Sequence, residues 1–249
     1  MAKWPGSHPV FVKEAMGARF TDVDGHTYVD FCLGDTGSMT GHSPDATIAA
    51  IKRQADIGIT SMLPTLDAAV VSKELASRFG LPKWQFTVTA TDANRHVIRY
   101  CRLITGRSKI IVIDRCYHGS VDETFATLDD AGNTVKREGN LGAPVDLDVT
   151  TRVVEFNDLA GMEAALKHGD VAAILMEPAM TNVGIVLPED GYLHAVQGLA
   201  KKYGALLIID ETHTISVGPG GMTLDLGLKP DFLTIGKAIA GGIPVGTFG

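Results

Sequence analysis

The sequence predicts an α/β chain built on a mostly parallel sheet, and three observations carry that expectation. Short apolar runs recur along the chain: Phe86–Thr89, Lys109–Asp114, Arg152–Phe156, Ala172–Glu177, Leu206–Asp210, Phe232–Ile235 and Val245–Phe248. Several are continuous rather than alternating, the pattern of strands covered on both faces. Amphipathic stretches separate them, and strand–helix alternation over such a length favours parallel pairing.

The elements follow in order. Val10–Glu14, Ala18–Val23 and Thr27–Phe31, with a turn at Asp24-Gly25, read as a small antiparallel meander. Ala46–Gln54 reads as a helix leading out of it. Asp92–Ile104 places Ala93, Val97, Cys101 and Ile104 on one helical face, and Tyr192–Tyr203 does the same with Leu193, Val196 and Ala200. Gly204 is placed to end the second of these helices. Residues 130–148, rich in Gly, Asn, Asp and Pro, read as a long surface loop.

Composition narrows the function classes. The chain has 249 residues, 45% hydrophobic and 20% charged, the balance of a soluble globular protein with a sizeable core. A net charge of −7 with no basic run argues against nucleic acid or a membrane surface as partner. The start, Met1-Ala2-Lys3-Trp4-Pro5, has no apolar leader region, and no run approaches membrane-spanning length. The three cysteines, Cys32, Cys101 and Cys116, have no metal-site spacing and read as free buried thiols of a cytoplasmic enzyme.

In parallel sheets of this kind a ligand sits beyond the carboxyl ends of the strands, so the polar residues there carry the chemistry. Phe232–Ile235 runs through Gly236 into Lys237, followed by a flexible Gly241-Gly242 loop. A lysine at the end of a buried strand is costly, and its natural use is an imine with a carbonyl compound. Leu206–Ile209 ends in Asp210-Glu211. Alone, Asp210 could be a metal ligand, a partner for a cationic ring or a turn cap. A nucleotide-binding reading would need a Gly-x-x-x-x-Gly-Lys loop, which the chain lacks. An aspartate and a lysine on neighbouring strand ends are what pyridoxal phosphate requires: the lysine binds the carbonyl, and the aspartate keeps the ring nitrogen protonated. Thr89-Ala90-Thr91-Asp92 opens a helix after the first strand and could cradle the phosphate or simply cap the helix through Thr91. Tyr117-His118-Gly119 offers an aromatic face and a close-passing backbone.

Together with Phe20-Thr21-Asp22-Val23-Asp24-Gly25, Gly41-His42-Ser43-Pro44, Glu177-Pro178, Tyr203–Glu211 and Thr234-x-Gly-Lys237-x-x-x-Gly-Gly-x-Pro, these positions resemble the class III (subgroup II) aminotransferases, most closely the glutamate-1-semialdehyde aminomutase branch. The resemblance runs from Phe11 to Gly249. It implies a fold-type I transferase large domain with a seven-stranded sheet over residues 61–249, preceded by an N-terminal segment over 1–60 that belongs to the small domain in the family. It also implies that the chain ends before the later helices and the C-terminal small domain. For single positions it implies Lys237 as the Schiff-base lysine, Asp210 as the pyridine-nitrogen partner, Tyr117 as the stacked aromatic, Ala90 and Thr91 as phosphate-binding, His118 as a further cofactor-site position, and Glu177 as a supporting glutamate. The implied cofactor is pyridoxal 5'-phosphate, the substrates are small amines or amino acids with oxo acids, and the assembly is a homodimer.

Several positions depart from the family. Ala90 stands where the family has glycine. Thr212 replaces an apolar residue that backs the ring, and His213 falls where a glutamine contacts the cofactor's phenolic oxygen. Asn182 matches the aminomutase-like branch rather than a glutamate-specific switch. His42 reads as structural, and Cys116, Met176 and Met180 read as core. The expected activity is amino-group transfer between an amine or amino acid and an oxo acid or aldehyde. The alternatives are an intramolecular aminomutase and a non-catalytic cofactor-binding or dimerising fragment, and the 249-residue chain alone is expected to turn over little.

Overall fold

A computed structural model describes residues 9–59, 62–142 and 146–249. The leader-free start read at Met1–Pro5 and the expected boundary between residues 60 and 61 lie outside the described residues. The chain divides into two compact units, one holding residues up to Pro64 with Lys237–Ile243, the other Thr65–Gly236 with Pro244–Gly249.

In the first unit β1 (Val12–Met16), β2 (Arg19–Asp22) and β3 (Thr27–Val29) form an antiparallel sheet. The first strand starts two residues later than expected, because Gly17 (φ +56°) makes the turn into β2. The second turn is organised by the buried Asp22, whose Oδ1 accepts from the backbone N–H groups of Asp24 (3.0 Å) and His26 (2.9 Å) and whose Oδ2 accepts from Tyr28 Oη (2.9 Å). His42 Nε2 lies 2.7 Å from Asp30 Oδ2. Helix α1 (Asp45–Ile57) follows, and the unit also takes in a 3-10 turn, Lys237–Ala240.

The second unit opens with α2 (Leu66–Phe79), then β4 (Gln85–Thr87), α3 (Ala90–Thr105), β5 (Lys109–Ile113), β6 (Ala126–Leu128), β7 (Thr134–Lys136), α4 (Leu147–Thr150) and β8 (Thr151–Val154). It continues with α5 (Leu159–Leu166), β9 (Val171–Met176), α6 (Tyr192–Tyr203), β10 (Leu206–Asp210), α7 (Gly221–Asp225), β11 (Phe232–Ile235) and β12 (Gly246–Phe248). Seven strands form one sheet in the order β4-β12-β11-β10-β9-β5-β8. Every pairing is parallel except those of β12, which is antiparallel to both neighbours. The fold is the expected α/β class, and all seven apolar runs are strands of this sheet.

The continuous runs are continuous because the sheet is covered on both faces: every residue of β9 is buried, and Ile110, Ile111, Ile174 and Ile208 have no exposed surface. Val97 and Cys101 of α3 and Val196 of α6 pack into this core. Ile104 does not, being 62% exposed in the last turn of α3. Gly204 ends α6 as expected, in the left-handed conformation at φ +65°. Arg107 fastens the end of α6 to the sheet, its Nη1 donating to the carbonyls of Val171 (3.0 Å), Tyr203 (2.9 Å) and Gly204 (3.0 Å). Two expectations are corrected. The stretch 130–148 is not all loop: β7 pairs with β6 as a hairpin and α4 begins at Leu147, while 143–145 lie outside the described residues. Cys101 and Cys116 are buried, but Cys32 is exposed.

Candidate functional site

Because β4, β5, β9, β10 and β11 run in the same direction, the residues after them emerge at one edge of the sheet. That edge gathers the Thr89–Thr91 turn, the Tyr117-His118 loop, Glu177, and Asp210 with Thr212.

Asp210 is the last residue of β10. It is 3% exposed, and the register of β10 against β11 sets it beside Thr234. Its Oδ2 accepts from His118 Nδ1 at 2.8 Å and Asn94 Nδ2 at 3.0 Å, and its Oδ1 accepts from the Thr212 backbone N–H at 3.0 Å. Burial pushes this carboxyl up, but the hydrogen bonds and charge of His118, with the donors from Thr212 and Asn94, outweigh it and bring the pKa down to about 2. His118 responds in the opposite sense. Burial disfavours its imidazolium, yet the Cys116 sulfur and the Asp210 carboxylate raise it well above its ordinary value. The pair is therefore an ionised carboxylate held by a protonated imidazole.

Glu177 is also buried, and its Oε2 accepts from Thr181 Oγ1 (2.5 Å) and Thr181 N (3.3 Å). Burial raises its pKa, ahead of the lowering influence of His118. His213 opens the 3-10 turn Thr214–Val217, its carbonyl accepting from Ser216. Tyr117 is 42% exposed.

The turn after β4 is enclosed by three glycines. A Cβ on Gly119 (φ +81°) would lie 2.1 Å from Thr91 Oγ1, one on Gly236 would lie 2.7 Å from Ala90 Cβ, and one on Gly246 would lie 2.3 Å from the Thr89 carbonyl. The helix cap is Thr89, whose Oγ1 accepts from Asp92 N at 3.1 Å, rather than Thr91. Thr91 Oγ1 instead accepts from Ser120 N at 3.1 Å, tying the turn to the loop after β5. Ala90 meets Gly236, which accounts for a Cβ being tolerated there.

Lys237 lies in the other unit, where its Nζ donates to Asp35 Oδ2 at 2.8 Å. In sequence it follows β11 by two residues. Glu211, adjacent to Asp210, serves the fold: Thr214 Oγ1 (2.5 Å), Thr223 N (2.5 Å), Met222 N (3.3 Å) and Thr223 Oγ1 all donate to its carboxylate. Asn94 was not foreseen. The signal for it was present, since positions 94, 97, 98 and 101 share the buried face of α3.

Three buried polar atoms at this edge, His118 Nε2, Glu177 Oε1 and Thr212 Oγ1, have no hydrogen-bond partner. Uncompensated polar atoms are expensive in an interior, and their clustering around Asp210 fits a polar ring ligand.

Comparison with known proteins gives the family. The family model for class-III aminotransferases matches residues 1–249, and the chain belongs to that family. It is 37% identical over 245 residues to a glutamate-1-semialdehyde 2,1-aminomutase of Methanocella arvoryzae, covering 97% of this chain and 58% of that protein. A solved glutamate-1-semialdehyde aminomutase from Pseudomonas aeruginosa PAO1 superposes with a TM-score of 0.96 at 56% identity, covering 99% of this chain and 54% of that one. An omega-transaminase from Sphaerobacter thermophilus superposes at 0.93 with 30% identity, covering 99% of this chain and 58% of that one. The chain thus spans a little over half the length of the relatives it matches. A variant of the Pseudomonas protein is solved with PMP and another related transaminase with PLP, and these support pyridoxal phosphate as the cofactor. No described helix is long and apolar enough to cross a membrane.

Proposed function

We propose that the chain carries the cofactor bed of a pyridoxal-phosphate-dependent aminotransferase moving an amino group between an amine or amino acid and an oxo acid or aldehyde. The observation that carries the reading is Asp210, a fully buried carboxylate kept ionised by His118, Asn94 and Thr212 at a strand end. When bound, pyridoxal phosphate supplies a cationic ring that accepts the electron pair left on the amine-bearing carbon. Asp210 holds the proton on the ring nitrogen. Tyr117 would offer the ring its aromatic face, His118 backs Asp210, Glu177 would support the site and His213 would hold the phenolic oxygen. The backbone at Ala90 and the Thr91 hydroxyl hold the phosphate at the start of α3, where helix N–H groups face outward. Lys237 Nζ would be the amine that holds the cofactor's carbonyl group, and it would serve as the acid–base group for proton transfer.

An absorbance spectrum of the purified chain with pyridoxal phosphate tests this. A visible band fixed by borohydride in the wild type and missing in Lys237→Ala is expected; a wild type without such a band would sink the reading.

A second reading, an intramolecular aminomutase, is favoured by the aminomutase names of the relatives at 37% and 56% identity and by Asn182. Turnover that needs no separate amino acceptor would select it. A third reading, a non-catalytic cofactor-binding fragment, predicts a chain that binds cofactor without turnover. We further propose a homodimer, supported by Leu66 (86% exposed) and Val70 (66% exposed) one turn apart on α2. Sedimentation of the purified chain as a monomer at micromolar concentration would refute the dimer.

A further inference from the structure

Asn94 lies on the buried face of α3 with no exposed surface. Few asparagines sit inside a helix, where their propensity is poor, unless the side chain is used. Here every part of it is used. Its Nδ2 donates to the His118 carbonyl at 3.1 Å and to Asp210 Oδ2 at 3.0 Å, and its Oδ1 accepts from Thr234 Oγ1 at 2.8 Å. A carbonyl and an ionised carboxylate can only accept, so the amide can face them only with its NH2 group. One side chain thereby ties α3, the loop after β5 and the ends of β10 and β11.

The consequence lies in the lone pairs of Asp210. An ionised carboxylate offers about four acceptor sites. Those on Oδ2 are taken by His118 Nδ1 and Asn94 Nδ2, and one on Oδ1 by Thr212 N. One site is left, and it is on Oδ1. His118 alone would leave Oδ2 half open, and the carboxylate would then have two directions in which to accept. We infer that Asn94 is a positioning residue for the cofactor: by closing Oδ2 it makes Oδ1 of Asp210 the single acceptor for the pyridine N–H. The inference rests on the reading of Asp210 as the ring-nitrogen partner. Asn94 does this without adding charge; the acceptor-only His118 carbonyl and Asp210 carboxylate keep its NH2 group turned to them, and Thr234 satisfies the oxygen left on the other side.

The test separates ring-nitrogen recognition from general packing. Pyridoxal phosphate and its carbocyclic analogue, with C–H in place of the ring nitrogen, are titrated into the 249-residue chain and its Asn94→Ala, Thr234→Val and Asp210→Ala variants. Wild type should prefer the natural cofactor, and Asp210→Ala should abolish the preference. Asn94→Ala should cut it by about tenfold, the scale of a hydrogen bond to a charged group, while leaving affinity for the analogue unchanged. Thr234→Val should cut it less, in the same direction. The ¹⁵N resonance of labelled cofactor should move toward the unprotonated position in Asn94→Ala. Equal weakening of both ligands in Asn94→Ala would make the residue merely structural and overturn the inference, as would an unchanged preference. Should Asn94→Ala fail to fold, an unchanged preference in the isosteric Thr234→Val overturns it instead. A wild type without preference, or an Asp210→Ala variant that keeps it, removes the reading of Asp210 and the inference together.

Discussion

The methyl group of Ala90 lies against the backbone of Gly236, so closely that a Cβ on the glycine would stand 2.7 Å from it. The two residues open α3 and follow β11, and each limits the size of the other. Gly236→Ala should therefore cost about 1–3 kcal/mol by overpacking. Adding Ala90→Gly should recover part of that loss. Urea unfolding of both single variants and the double variant checks it, and strictly additive effects would show that the contact is not the cause.

Acid should weaken the fold through Asp210. Its folded pKa, about 2, lies below its ordinary value of 3.8, so its contribution is complete above pH 4 and is lost as pH falls through 2. At about 1.4 kcal/mol per unit, the contribution is on the order of 2 kcal/mol. Glu163 acts in the same sense: Lys202, then Tyr203, hold its pKa at about 2. Asp210→Asn should flatten the stability curve between pH 4 and 2, whatever it does at neutral pH. An unaltered slope by chemical denaturation would contradict the assignment.

Neighbouring acids should fail differently. Glu211 accepts from two backbone N–H groups and two hydroxyls around α7. Glu211→Ala strands those buried donors and should cost about 2–3 kcal/mol, lowering the melting temperature. Asp210→Ala strands His118, Asn94 and Thr212 at a cost to the fold at least as large, and should in addition lose cofactor, which Glu211→Ala should not. Comparing melting temperatures with cofactor affinities for the two variants decides this, and loss of cofactor in Glu211→Ala would refute it.

The ion pair of Lys237 with Asp35 should contribute little to stability. Asp35 is 74% exposed, and exposed pairs are worth about 0–1 kcal/mol. Asp35→Asn should leave the melting temperature nearly unchanged and keep the borohydride-trapped cofactor, whereas Lys237→Ala loses the trapped cofactor altogether. Mass spectrometry after reduction reads this directly; loss of the adduct in Asp35→Asn would give Asp35 a larger role.

The central sheet strands were legible because burial on both faces makes them unbroken apolar runs, as Val171–Met176 shows. Gly204 marked the end of α6 because left-handed backbone favours glycine. The β6–β7 hairpin was not legible: its strands are three residues long and lie among turn-forming residues, so no period develops. At the site, Asp210 could be read from its place at the end of an apolar run, with Lys237 following the next one. The cap at Thr89 and the tie from Thr91 to Ser120 could not be told apart by sequence, since both threonines flank the same helix start. Asn94 escaped because an asparagine in a helix reads as solvated. Its meaning depends on His118, Asp210 and Thr234, and the last two lie more than 100 residues away.

The seating of β12 between β4 and β11 has a kinetic side. Among the described residues β4 has no other neighbour in the sheet, and Thr247 of β12 reaches Gln85 across 162 residues of chain. On a ribosome adding roughly 5–20 residues per second, the first strand of the sheet waits on the order of ten seconds or more for its partner. During that interval its edges are open to the nascent chains of neighbouring ribosomes. A chaperone that shelters emerging chains should therefore raise the soluble yield of this protein more than that of a sheet whose strands pair in the order they are made.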